Sequence, residues 1–177
     1  MSEPNCVEML LDEIDRALKA ELYVVATMAA LTLPDMCAAL EKESFWAKNT
    51  DYAAWCERNL PQEFFSLATP ELMKQFRNDL LHTGTVDDRK GNKKLILTIP
   101  RWHTATQIHF GNCRINDTYL TNVEDFCRGL MQAAGSWLEK NKDNPTVQKN
   151  LGLMIRKHEN RTGFPPIVVG TPVPAIY

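Results

Sequence analysis

Apolar residues spaced three and four positions apart predict helices at the start of the chain. Between residues 6 and 30 this stripe is continuous, which predicts one long amphipathic helix. Its members are Val7, Leu10, Leu11, Ile14, Leu18, Leu22 and Val25. Proline fits the first turn of a helix and Thr32 can cap it, so Pro34 predicts the start of a second helix that runs to about residue 43.

Two further helices are predicted before residue 84. Asn49 or Thr50 can cap a third helix, which Pro61 should end. Thr69 and Pro70 supply a capping hydroxyl and a first-turn proline for a fourth. Its apolar stripe contains Leu72, Met73, Phe76 and Leu80. Gly84 fits the left-handed residue that ends many helices, and four such helices suggest an antiparallel bundle.

The pattern changes after residue 88, where a basic turn is followed by segments typical of strands. Residues 95–99, 104–110 and 113–115 are β-like, with a turn at Gly111 and Asn112. They predict a small antiparallel hairpin or meander. The row Arg101, His103, Gln107 and His109 would share one face of it, which we interpret as the solvated side of the sheet rather than a binding surface.

Helical patterns return near residue 121. Thr121 and Glu124 have the spacing of a capping box that opens a long amphipathic helix. Asn144 and Pro145 can start a last short helix, after which the chain looks extended. The tail could dock on a partner, but its run of Ile167 to Val169 favours closure over its own bundle.

The sequence thus predicts one mainly α domain over residues 1–177 with a β insertion before the fifth main helix. Its parts are a helical bundle at 4–84, the β insertion at 94–117, a packing helix at 121–141, a short helix at 145–156 and an extended tail at 163–177. A chain of 177 residues with 44% hydrophobic content can build one such core.

Composition narrows the function classes. A net charge of -2 argues against coating nucleic acid by bulk electrostatics, although local basic patches can still bind it. The first residues include acids and lack a long apolar run, so we expect no signal peptide or membrane span and a cytoplasmic protein. Five scattered cysteines without C-x-x-C spacing indicate neither a disulfide framework nor a zinc cage, and we expect no metal or cofactor.

Residues 77–82, Arg-Asn-Asp-Leu-Leu-His, carry the most direct chemical signal. They join a fixed cation, a carboxamide and a base that titrates near neutral pH. At about 100° per residue, Asn78 and His82 share the polar face of the fourth helix, whereas Arg77 lies about 140° away from His82. The plainer interpretation is structural: a histidine in the last turn complements the helix dipole, and Arg77 pairs with Glu71, Asp79 or a neighbouring helix.

Two acids on the second helix leave a similar choice. Asp35 and Glu41 could support Arg77 or His82 if that helix lies alongside the fourth. We favour the simpler roles of helix-start stabilisation and solvation.

The motif, its place in a fourth helix, and the segments Leu33–Glu41 and Tyr52-x-x-Trp55 resemble the HEPN superfamily (higher eukaryotes and prokaryotes nucleotide-binding domain) and a group of uncharacterised bacterial proteins related to it. The resemblance covers roughly residues 5–140. It implies a HEPN-like bundle, a homodimer, and metal-independent ribonuclease or RNA- or nucleotide-binding activity in a defence or toxin–antitoxin system, with an antitoxin as a further partner.

On that resemblance, Arg77, Asn78 and His82 would be the catalytic residues. His82 would act as acid or base, Arg77 would hold the phosphate, and Asn78 would orient His82 or the backbone. Basic residues that follow the motif could approach the same mouth and bind RNA. They are Arg89, Lys90, Lys93 and Lys94. The alternative class is a non-catalytic dimerisation or protein-interaction module.

Overall fold

A computed structural model describes residues 4–66, 68–84, 95–99, 113–116, 118–155, 157–158 and 175–176. Over these residues the protein is mainly helical with a small three-stranded sheet. The helices are α1 (Cys6–Lys19), α2 (Tyr23–Leu40), α3 (Asn49–Asn59), α4 (Pro70–Thr83), α5 (Val123–Lys140) and α6 (Pro145–Leu151), with a 3₁₀ helix at Gln62–Ser66. The strands are β1 (Leu95–Thr98), β2 (Cys113–Ile115), β3 (Thr118–Asn122), β4 (Lys157–His158) and β5 (Ala175–Ile176).

The predicted long first helix is wrong, because the chain turns back between α1 and α2. Glu21 adopts a left-handed backbone with φ of 57°. Its N–H donates to the carbonyl of Leu18 over 3.0 Å, and the N–H of Leu22 donates to that of Ala17 over 2.8 Å. These two bonds form a Schellman motif, which usually places glycine at the left-handed position. With glutamate there, the sequence gives no stop signal.

The predicted start of a helix at Thr32 and Pro34 is also wrong, because both residues lie inside α2. The Thr32 hydroxyl does not cap a helix but donates to the carbonyl of Ala29 over 2.7 Å. An interior proline loses one helical hydrogen bond and costs about 3 kcal/mol. Burial of the surrounding face offsets that cost. Its buried members include Leu31, Leu33, Cys37, Ala38 and Leu40.

Helix α2 is the centre of the fold and packs against α1, α3, α4, α5 and α6. Its composition follows from this position, because Asp35 is the single charged residue among its 18 residues. By length and hydropathy alone, the helix could cross a membrane. A helix that is apolar on most sides is buried in a core or in a bilayer. Here 56% of it is buried against the protein's own helices.

The remaining predicted helices are confirmed with small changes at their ends. Helix α4 has the predicted Thr69 cap, whose hydroxyl accepts from the N–H of Leu72 over 3.3 Å, and ends at left-handed Gly84. Helix α5 is capped by Asn122, one residue later than predicted, because Thr121 is buried in β3. Helix α6 ends at Leu151 rather than near residue 156.

The β insertion differs from an antiparallel hairpin or meander. Strand β3 is central, β2 pairs antiparallel with it, and β1 pairs parallel with it from Leu95 opposite Tyr119 to Thr98 opposite Asn122. The prediction failed because β3 was not recognised: residues 118–120 were assigned to no element, and Thr121 and Asn122 were assigned to the following helix. The predicted strand at 104–110, with its row of Arg101, His103, Gln107 and His109, lies outside the described residues, as does most of the tail.

The 3₁₀ helix lies directly on α5. The rings of Phe64 and Phe126 are 5.8 Å apart between centroids. A Cβ atom on Gly129 would come within 2.3 Å of the Phe64 ring, so only glycine allows this approach. The close contact therefore joins the segment before α4 to the helix after the sheet.

We expect Glu21→Gly to stabilise the protein by roughly 0.5 to 1 kcal/mol, because glycine removes the strain of a left-handed residue. The same change at Glu13, an exposed position inside α1, should instead cost roughly that amount. Urea unfolding of both variants measures the two free energies. Equal destabilisation by both changes would contradict the strained turn.

Candidate functional site

The three segments that carry the sequence resemblance meet at one place. Asp35 comes from α2, Asn49 and Tyr52 from α3, and Arg77 from α4. We call these four residues the Arg77 cluster. Asp35 and Arg77 are 42 positions apart in the chain, so only the packing of α2, α3 and α4 brings them together.

Arg77 is held by an ion pair and a ring. Its Nη2 lies 2.9 Å from Oδ2 and 3.1 Å from Oδ1 of Asp35, and 3.5 Å from Oδ1 of Asn49. Its guanidinium carbon is 5.2 Å from the centroid of the Tyr52 ring, within the range of a cation–π contact. Only 13% of the Arg77 side chain is exposed, compared with 29% for Asp35. The guanidinium is therefore largely committed to the protein's own groups.

Burial sets the electrostatics of the Arg77 cluster. It raises the pKa of Asp35 above the ordinary value, and the nearby Arg77 cation opposes this without cancelling it. It also raises the pKa of Tyr52 well above the ordinary value, with Cys56 and Asp35 adding to the effect and Arg77 opposing it. Tyr52 is therefore a neutral phenol, and the charges of the cluster are those of the Asp35–Arg77 pair.

Two polar atoms in the Arg77 cluster have no hydrogen-bond partner among the described residues. They are the Tyr52 hydroxyl and Nε of Arg77, and both are buried. A buried donor without an acceptor costs roughly 1 to 3 kcal/mol. The cluster thus holds more donors than its one carboxylate satisfies.

His82 and Asn78 lie apart from this ion pair. His82 is exposed in the last turn of α4 and Asn78 is partly buried. Neither makes a hydrogen bond or ion pair with another described side chain. Arg77 instead faces α2 and α3, as its contacts with Asp35 and Tyr52 show. The three predicted catalytic residues are consequently on one helix, and the described residues bring them to no shared target.

For Asp35, the role that we did not favour from the sequence is the correct one. Asp35 pairs with Arg77 and does not stabilise the start of a helix. Glu41 supports neither Arg77 nor His82. Its carboxylate accepts from the indole N–H of Trp137 over 2.8 Å and pairs with Arg58 at 2.6 Å. Sequence reasoning did not find the roles of Asn49 and Tyr52. The signal that the sequence did offer concerned Asp35, which is the single charged residue of an otherwise uncharged helix and therefore needs a cation as its partner.

The four basic residues predicted to bind RNA, Arg89, Lys90, Lys93 and Lys94, lie outside the described residues. The described part of the chain contains no group of three or more histidine, cysteine, aspartate or glutamate residues that could hold a metal ion.

A second feature of the same region is an apolar cavity of about 270 Å³. It opens between the start of α2, the end of α4, β1 and the start of α5. Its lining residues are Tyr23, Val24, Thr27, Phe76, Leu80, Leu95, Ile96, Leu97, Ile99 and Val123. Val24 is 67% exposed and Ile99 is 60% exposed. Leu80 connects this cavity to the last turn of α4, two residues before His82.

Comparison of the chain with protein-family models, with curated proteins and with solved structures found no match.

We expect Arg77→Met to destabilise the protein by about 2 to 3 kcal/mol, because it leaves a partly buried carboxylate without its partner. Arg58→Met is the matched control: it also breaks an arginine–carboxylate pair, but 55% of the Arg58 side chain is exposed, so the cost should be under about 1 kcal/mol. Unfolding in guanidinium chloride measures both. Similar costs for the two variants would contradict a structural role for Arg77.

Proposed function

We propose that this protein is a HEPN-like interaction module that self-associates through the apolar face beside the end of α4. The observation that carries the proposal is the open cavity rimmed by exposed Val24, Ile96 and Ile99. Apolar side chains clustered around an opening are a common mark of an interface. Arg77, the cation that RNA cleavage would need, is already paired with Asp35.

A second copy of the chain is the partner that best fits this face. Two-fold association buries the same patch on both subunits, so one apolar surface is sufficient for a closed dimer. The resemblance to HEPN proteins implies a homodimer. With Leu80 in the cavity lining, an interface here would also bring the two exposed His82 side chains toward each other.

Metal-independent RNA cleavage is the second candidate. It is favoured by the exposure of His82 and by its place on the same face of α4 as Asn78. An imidazole there can take or give a proton to a bound RNA. Under this candidate, Arg77 would have to leave Asp35, or a basic residue would have to supply the cation. The candidates for that cation are the basic residues that come after the motif in the sequence, Arg89, Lys90, Lys93 and Lys94. Under this candidate, the resemblance also implies action in a defence or toxin–antitoxin system.

Self-association predicts that Ile99→Glu and Val24→Glu each weaken the dimer at least about 100-fold, which corresponds to roughly 2.7 kcal/mol. Each change places a charge in an apolar interface. Leu153→Glu is the control, because Leu153 is 66% exposed and follows α6, away from the cavity. Sedimentation equilibrium measures the dissociation constants. A monomeric wild type, or equal behaviour of all three variants, would refute this interface.

RNA cleavage predicts that purified protein cuts single-stranded RNA in a buffer containing EDTA, and that His82→Ala lowers the rate about 10²- to 10⁴-fold. Gln75→Ala should leave the rate unchanged, since Gln75 is exposed on the same helix two turns earlier. Gel analysis of a labelled oligonucleotide gives the rates. If His82→Ala cleaves as fast as the wild type, the cleavage comes from a contaminant and this candidate is lost.

A further inference from the structure

The apolar cavity between α2, α4, β1 and α5 has a buried floor as well as an exposed rim. Phe76, Leu95 and Val123 line it and are at most 6% exposed, so its inner part reaches into the core. Its volume is about 270 Å³. Apolar cavities of about 150 Å³ stay dry and bind molecules the size of benzene. The cavity therefore has room for an apolar molecule larger than benzene.

Two carboxylates lie beside this cavity. Glu124 follows Val123 in the first turn of α5, and Glu21 comes two positions before Tyr23, the first residue of α2. Val123 and Tyr23 both line the cavity. Desolvation raises the pKa of the Tyr23 phenol above its ordinary value, and the charges of Glu124 and Glu21 raise it further. The described residues that line the cavity include no lysine, arginine or histidine, so the charge at its mouth is negative.

Glu21 is kept at a backbone position that usually takes glycine, with φ of 57°. Its side chain makes no hydrogen bond or ion pair with a described residue that would explain the strain. Strained residues cluster where a function needs the side chain. A carboxylate at the mouth of an apolar cavity is such a function, because it attracts the charged end of a ligand whose other end is apolar.

We propose that this cavity binds an amphiphilic amine, whose apolar body fills the space above the buried floor and whose ammonium group faces Glu21 and Glu124 at the mouth. A primary aliphatic amine has this chemistry, since its ammonium group, like that of lysine, is charged at neutral pH. Burial of the chain supplies the affinity. The two carboxylates select the cation over an anion of the same length.

This inference goes beyond self-association, because it uses the floor and the acidic mouth of the cavity, whereas the dimer uses exposed Val24, Ile96 and Ile99. Sedimentation equilibrium of the ligand-free protein and amine binding by protein dilute enough to be monomeric are separate measurements. A monomeric protein that binds the amine would refute the dimer alone. A dimer whose dilute form binds no amine would refute this inference alone.

Thermal unfolding of the full-length protein with octylamine, octanoate or octanol tests the proposal, since a ligand of the folded state raises Tm. All three are kept below the concentrations at which they form micelles. We expect octylamine to bind at least about tenfold more tightly than octanoate, with octanol in between. Hexylamine, two methylenes shorter, should bind about tenfold more weakly than octylamine. Equal affinities for octylamine and octanoate, or no rise in Tm with octylamine, would overturn the proposal.

Leu80→Trp locates the site, because Leu80 lines the cavity and the larger indole fills part of it. This variant should lose at least about tenfold in affinity for octylamine, the equivalent of two buried methylenes. Leu153→Trp is the control, since it adds the same ring at an exposed position after α6, and it should bind like the wild type. Unchanged binding by Leu80→Trp would place the ligand elsewhere and refute the site.

A direct measurement replaces Leu80→Trp if that variant does not fold. Nuclear Overhauser effects between the octylamine chain and the methyl groups of Leu80 and Leu95 are expected in the wild-type protein, because both side chains line the cavity. Their absence at saturating octylamine would also refute the site.

Glu21→Gly separates ligand binding from stability. It should raise the free energy of unfolding by relieving the left-handed strain, yet weaken octylamine binding about threefold by removing one charge at the mouth. Glu124→Gln should weaken octylamine binding to the same extent, and neither change should alter octanol binding. Glu13→Gln is the control, since Glu13 is exposed on α1, and its affinities should match those of the wild type. Octylamine binding at wild-type strength in the double variant Glu21→Gly, Glu124→Gln would refute recognition of the amine.

Discussion

Burial of α2 among five other helices is the constraint on which the rest of the structure depends. It accounts for the apolar composition of that helix, for the tolerance of Pro34 in its interior, and for the sharp turn at Glu21 that lets α1 fold back. It also explains why Asp35 needs Arg77. A carboxylate on such a helix is costly unless a cation compensates it, and α4 supplies that cation.

The same pair links stability with chemistry. An arginine that neutralises a partly buried carboxylate has little charge left for a substrate, so the Asp35–Arg77 pair and any chemical role of Arg77 compete for one side chain. The stacked Tyr52 ring and the neighbouring Asn49 hold the guanidinium on the side of α2 and α3, away from the exposed His82. Whatever the protein does, use of Arg77 in chemistry has to be balanced against the packing of three helices.

Local signals predicted much of this fold. Thr69, Pro70 and Gly84 define α4, and Asn144 with Pro145 starts α6, because capping depends on a few adjacent residues. Sequence reasoning failed where packing overrides propensity. Glutamate holds a position that usually takes glycine, Pro34 is tolerated inside a buried helix, and β3 finds its parallel partner 24 positions back in the chain. The exposure of His82 followed from helical periodicity. The Asp35–Arg77 pair did not, because contacts between distant residues depend on which helices become neighbours.

The parallel pairing of β1 with β3 has a consequence for the order of folding. Neighbouring helices such as α1 and α2 can meet after closing a short turn, whereas β1 and β3 must first close the long segment between them. Only Leu95 in β1 and Thr121 in β3 are fully buried, so this small sheet contributes little to the core. Its amide protons should therefore exchange with solvent by local opening, while those of α2 should exchange only when the whole protein unfolds.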